Sequence, residues 1–111
     1  MPENLEELAV EVWLQVIESI KKVLEECDLH GITEIIYVKD PSVEERLVVL
    51  ESLETVFGII LSHIQDSGVK QKISDSKICI NFLKVLLISV RSHDEDSFNS
   101  AKNFLAKHIV L

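Results

Sequence analysis

The sequence predicts an all-α fold, a four-helix bundle or a short α-solenoid built round a central hydrophobic third helix. Three observations predict it. Ile78 to Val90 (ICINFLKVLLISV) is apolar at all but Asn81, Lys84 and Ser89, so a helix made from it is greasy nearly all the way round and must be enclosed by others. Long stretches on either side place apolar residues three and four apart, the period of a helix with one buried side. Only three Gly and two Pro interrupt 111 residues, of which 47% are hydrophobic and 27% charged, a composition suited to one globular domain, residues 1–111, with a single core.

The first helix is expected near residues 5–28. Leu5, Ala9, Val12, Val16, Ile20, Val23 and Cys27 form its stripe. Asn4 can cap it, with Glu7 at capping-box spacing and further acids in the first turns where the macrodipole favours them. Val10, Trp13, Leu14, Ile17 and Leu24 widen the apolar side, which predicts contact with two neighbours. Gly31 then offers a left-handed stop. Residues Ile32 to Lys39 are rich in β-branched side chains and fit either a short strand or a short helix; in an otherwise helical chain a short helix or packed connector is the better fit, because a lone strand leaves backbone groups unpaired.

A second helix is expected near 42–67. Pro41 suits a helix start, and Ser42 with Glu45 has capping-box spacing. Val43, Leu47, Leu50, Phe57, Ile60, Leu61 and Ile64 make its buried stripe, and Gly58 sits in its interior. Gly there costs about 1 kcal/mol relative to Ala, which suggests close helix packing at that point. Ser67-Gly68 reads as the stop, Val69 to Asp75 as a polar connector, and Asp75 or Ser76 as the cap of the third helix, near 76–92. His93 to Asp96 forms the next break. A fourth helix near 95–109 carries Phe98, Ala101, Phe104, Leu105 and Ile109 on one face.

Asp40, Val43, Leu47 and Leu50 are matched by Asp94, Ser97, Ala101 and Phe104 at an offset of 54 residues. With this spacing, the string DPSVEERLVVLESL resembles the start of the second helix in HEAT or armadillo-like repeats, in which an Asp caps the helix. About a quarter of the chain takes part. It departs from the family pattern at Glu44, where Arg is usual, at Leu47, where Ala is usual, and in its longer period. The resemblance implies a HEAT-like α-solenoid, a scaffold that binds peptides or proteins on a helical surface.

Net charge is -8, divided as -6 over residues 1–28, -5 over 29–67 and +3 over 68–111. Nucleic acid is a poor partner for such a chain, since phosphate binding needs a basic stripe that displaces counterions. An acidic face suits a basic protein partner, although a solvated surface is the plainer use of those charges. The longest apolar run is well below the roughly 20 residues that span a bilayer, and Lys84 interrupts it. Met1 is followed at once by Pro2 and Glu3, with no secretory signal, and Cys27 and Cys79 are too few for a disulfide scaffold. These features point to an intracellular protein, cytoplasmic or nuclear.

Chemistry finds little footing. Cys27 and His30 have C-x-x-H spacing, with Cys79, His63, His93 or His108 as possible completing ligands, but no second close pair exists, so neither a metal nor another cofactor is expected. His63 invites comparison with histidine phosphotransfer domains, yet Asp66 stands where those domains place a cation, and an acid repels a phosphohistidine. There is no G-x-S-x-G, phosphate-binding Gly loop or H-E-x-x-H motif, and no enzyme is predicted. The acids of the first helix read as a solvated face, not as catalytic pairs.

What remains is a non-catalytic interaction module, an adaptor or complex subunit that uses an apolar helical surface. Its partner would be a protein, basic or a helical peptide, or a second copy of the chain. Candidate interface residues are Trp13 and Tyr37, typical of hot spots, although both also suit a packed interior, and the apolar run Ile109, Val110 and Leu111. The rival readings are a histidine phosphotransfer or regulatory domain, and an acidic immunity or inhibitor protein that masks a basic enzyme.

Overall fold

The computed structural model describes residues 4–29, 31–32 and 42–108. Four helices follow one another: α1 (Leu5–Glu26), α2 (Val43–His63), α3 (Ser67–Ser92) and α4 (Glu95–His108). No strand occurs among the described residues. Apart from Gly31 and Ile32, the ambiguous connector with Tyr37 lies outside them.

α3 is the hub. It packs against each of α1, α2 and α4, whereas α1 and α2 make no close backbone approach to each other among the described residues. Ile80, Leu83, Leu86 and Leu87 of α3 are fully buried and meet Val16 and Leu24 of α1, Leu50, Leu53 and Phe57 of α2, and Phe98 and Leu105 of α4 in one core. The expected central third helix is therefore present. The second neighbour of α1 is α4, and its widened side is used: Trp13, Ile17 and Leu24 are buried, while Leu14 is 61% exposed.

Local chemistry accounts for the helix ends. Asn4 caps α1 by accepting from the Glu6 backbone N–H at 2.9 Å, one position earlier than the Glu7 spacing suggests. Ser42 and Glu45 form the expected capping box: the Glu45 N–H donates to Ser42 Oγ at 3.2 Å and the Ser42 N–H to Glu45 Oε1 at 3.4 Å. Asp94 caps α4, accepting from the Ser97 N–H at 3.1 Å and from the Ser97 hydroxyl at 2.7 Å. Those bonds hold the Asp94 carboxyl below its ordinary range, the side-chain bond more than the backbone one.

Three expectations are corrected. The left-handed stop of α1 is Asp28, at φ 60°, and not Gly31; the Asp28 N–H bonds Glu25 O and the Leu29 N–H bonds Leu24 O at 2.7 Å, which closes the last turn in Schellman fashion. The break between α2 and α3 falls at Ile64–Asp66, so Ser67-Gly68 starts α3 instead of ending α2, and Val69 to Asp75 are its opening turns. Asp66 is the cap, accepting from the Val69 N–H at 3.0 Å, and Val69, Ile73 and Ser76 continue the inward stripe. Gly58 does not mark backbone contact: an added Cβ would meet only Lys77 Nζ, at 3.8 Å.

Three ion pairs tie the outer helices to the hub. Glu26 of α1 meets Lys72 at 2.9 Å, Glu54 of α2 meets Lys84 at 3.6 Å and Glu44 of α2 meets Arg91 at 2.6 Å. Each is at least partly solvated and contributes little on its own; the Glu44–Arg91 and Glu54–Lys84 pairs follow in opposite order along α2 and α3, as the antiparallel register of those two helices requires. Phe82 of α3 stacks on Phe104 of α4, with centroids 3.6 Å apart, and Phe104 on His108 at 4.1 Å.

Candidate functional site

α3 is not covered on every side. Ile78 is 45% exposed, Val85 39% and Ile88 41%. Spaced by seven and three, they lie on one face of the helix, and Asn81 and Ser92 on the same side are also exposed. α2 flanks this face through Lys84 and its partner Glu54, and α4 through the Phe82–Phe104 stack. The molecule measures 48 × 28 × 19 Å; its least dimension is about two helix diameters, so three helices do not close a ring round the fourth. Beside Ile78 an open groove of about 450 Å³ runs between α2 and α3, with Leu61 and Phe82 as its apolar walls and Glu54, Lys77 and Asn81 as its polar rim.

A second groove, of about 270 Å³, lies between α1 and α3 at the end of α4. Val16, Ile20 and Val23 wall it on the α1 side, Ser76 and Cys79 face them from α3, and His108 stands at its edge. The Cys79 thiol is pushed up by burial and, less, by the Asp75 carboxylate, so it is a protonated thiol and a poor nucleophile at neutral pH. Lys72 at the mouth is held above its ordinary range by its hydrogen bond to Glu26 and by that carboxylate's charge.

The candidate residues from sequence are dispersed. Trp13 is 5% exposed; its ring is part of the core and carries the Arg46 guanidinium 5.6 Å from its centroid. Tyr37, Ile109, Val110, Leu111 and His30 lie outside the described residues. His63 is exposed at the end of α2, its Nδ1 2.9 Å from Ile59 O and 3.0 Å from Ser62 Oγ. Asp66, read as an obstacle to a phosphohistidine, is occupied as the α3 cap. Cys27 and Cys79 are both free thiols, and among the described residues no three His, Cys, Asp or Glu side chains are grouped to hold a metal ion. No described helix is long and apolar enough to cross a membrane.

Ile78, Val85 and Ile88 were within the greasy segment but had no mark of their own in the sequence. No protein-family model, curated protein or solved structure matches the chain.

Proposed function

We propose that this chain is a non-catalytic interaction module, an adaptor or complex subunit, that receives an apolar segment of a protein partner on the outer face of α3. The observation that carries this reading is the exposure of Ile78, Val85 and Ile88 on the helix that otherwise forms the centre of the core. Isolated exposed apolar residues are ordinary, but three in register beside an apolar groove form a patch of the kind that marks partner surfaces. An amphipathic helix laid along the face would place its own apolar residues, three and four apart, against this row. The HEAT-like string at residues 40–53 is in keeping with such a scaffold.

The test is paired capture from the native cell with the intact chain and with an Ile78→Asp, Ile88→Asp double variant. Both sites are solvent-facing, so the variant should keep its melting temperature within a few degrees while losing the partner. Retention of the same partner by the double variant would defeat the reading. Sedimentation of both forms identifies self-association: a concentration-dependent dimer that the variant abolishes makes the partner a second copy.

An acidic masking role has one supporting observation, the exposure of Glu6, Glu7, Glu11, Glu18 and Glu25 along α1. Binding by that face would weaken steeply with salt, whereas binding by α3 would not.

A further inference from the structure

The outer faces of α1 and α3 carry matching patterns of opposite charge. On α1, Glu11, Glu18 and Glu25 recur every seven residues on the side turned away from the core, and all three are exposed. Leu14 lies open beside them, with the half-buried Val10 one turn before it. On α3, Lys77, Lys84 and Arg91 recur at the same interval along the row of Ile78, Val85 and Ile88. A seven-residue interval keeps helical side chains nearly in line, drifting about 20° per repeat. Each face is therefore an apolar row with one charged edge, acidic on α1 and basic on α3.

Neither edge is used up inside the chain. Among the described residues Glu11, Glu18, Glu25 and Lys77 form no ion pair. Lys84 meets Glu54 only at 3.6 Å, and Arg91 and its partner Glu44 are both more than half exposed, so each cation keeps N–H donors for a second carboxylate. α1 packs on the core side of α3, so the two outer faces point away from each other and a single copy cannot join them.

The edges also fix an orientation. At about 100° per residue, Glu11 and Glu18 fall to one side of Leu14, whereas Lys77 and Lys84 fall to the opposite side of the row of Ile78, Val85 and Ile88. Edges so placed meet when the two helices run parallel. Two α3 faces laid together do worse, since the cations then face either their own copies, which is repulsive, or Phe82 and Ser89, which offer no acid.

From this charge complementarity we infer that the occupant of the outer face of α3 is the outer face of α1 in a second copy of the chain, running parallel to it. Leu14 packs against Ile78 and Val85, and the acid row of one copy meets the cation row of the next. This inference rests on the reading of the α3 face as a partner surface and names the partner. The contact is heterologous: every copy in a pair keeps one face unused, so assembly continues head to tail beyond the dimer. One helix on one face falls at the low end of specific interfaces, below about 1,200 Å², where association is weak and transient.

The test is sedimentation of the purified full chain up to about 1 mM. The average mass of the parent should climb with concentration past that of a dimer. An Ile78→Asp, Ile88→Asp variant and a Leu14→Asp, Glu18→Lys variant, all at exposed sites, should each self-associate at least about tenfold more weakly. An equimolar mixture of the two should form a dimer and stop there, because one intact α1 face and one intact α3 face remain. Circular dichroism matching the parent shows that both variants fold, and the mixed dimer requires it. A parent that stays monomeric, an α1 variant that assembles like the parent, or a mixture that associates no better than its components overturns the inference. Those outcomes leave the α3 face as a partner surface, to be judged by native-cell capture; assembly that the α3 variant does not weaken defeats the inference for that face directly.

Discussion

Arg46 of α2 lays its guanidinium carbon 5.6 Å from the centre of the Trp13 ring of α1, bridging the two helices that make no close backbone approach to each other. The contact carries a cost. Arg46 Nε is buried with no hydrogen-bond partner among the described residues, and burial lowers the pKa of the guanidinium. Cation–π attraction contributes about 0.5–2 kcal/mol, against a penalty of about 1–3 kcal/mol for the unpaired donor. The two nearly cancel, so Arg46→Met, which keeps the stem and discards the charge, should change stability by no more than about 1 kcal/mol in urea unfolding. Arg46→Ala also strips the packing over Trp13 and should cost about 1–2 kcal/mol, with a shift in Trp13 fluorescence.

Gly58 is a helix-interior glycine that no neighbour requires. Its φ is not positive, and a Cβ there sits at ordinary contact distance from the flexible end of Lys77. Gly58→Ala should therefore stabilise the protein by about 1 kcal/mol, seen as a rise of about 4–8 °C in thermal unfolding. A drop would mean that α2 and α3 approach more closely than the 3.8 Å contact indicates.

His93 holds a left-handed conformation, φ 56°, to end α3, with the Asp94 N–H returning to Ser89 O at 2.9 Å. Glycine takes that conformation without the Cβ penalty. His93→Gly should raise stability by about 1 kcal/mol, and chemical denaturation measures it through a higher midpoint at unchanged slope.

Asp94 links the start of α4 to pH. Its folded pKa lies below its ordinary value of 3.8, so its stabilising contribution is present above that value and is lost as pH falls through the folded pKa. Asp94→Asn caps a helix comparably well but does not titrate. The variant should match the parent near neutral pH and show a shallower loss of stability below about pH 4. Parallel acid titrations of the two proteins followed by circular dichroism would expose an absent link as identical curves.

The all-α class, four helices and a central third helix were legible because apolar residues recur at helical spacing through α1, α2 and α4 and fill the segment from Ile78 to Val90. The α2–α3 boundary was not, because Ser67-Gly68 has the look of a stop and the polar run Lys70, Gln71 and Lys72 hides the inward stripe of Val69 and Ile73. Its true marker is Asp66, a residue type suited to an N-cap that stands directly before Ser67-Gly68. The sites were less legible still. A segment that is apolar on every side does not disclose which side its neighbours leave open, and the groove beside Ser76 is assembled from three helices that sequence spacing cannot bring together. Trp13 shows the converse: an aromatic residue suited to an interface is spent inside the core.

The hub arrangement has a consequence for synthesis. α1 leaves the ribosome before the other three helices, yet both helices whose backbones it approaches closely, α3 and α4, lie beyond α2 in the chain. At translation speeds of about 5–20 residues per second, the stripe of Ala9, Val12, Trp13 and Val16 is without its final cover for several seconds while α2 and α3 are made. The exposed acids along α1, Glu6, Glu7, Glu11, Glu18 and Glu25, set a like-charge repulsion against self-association over that interval.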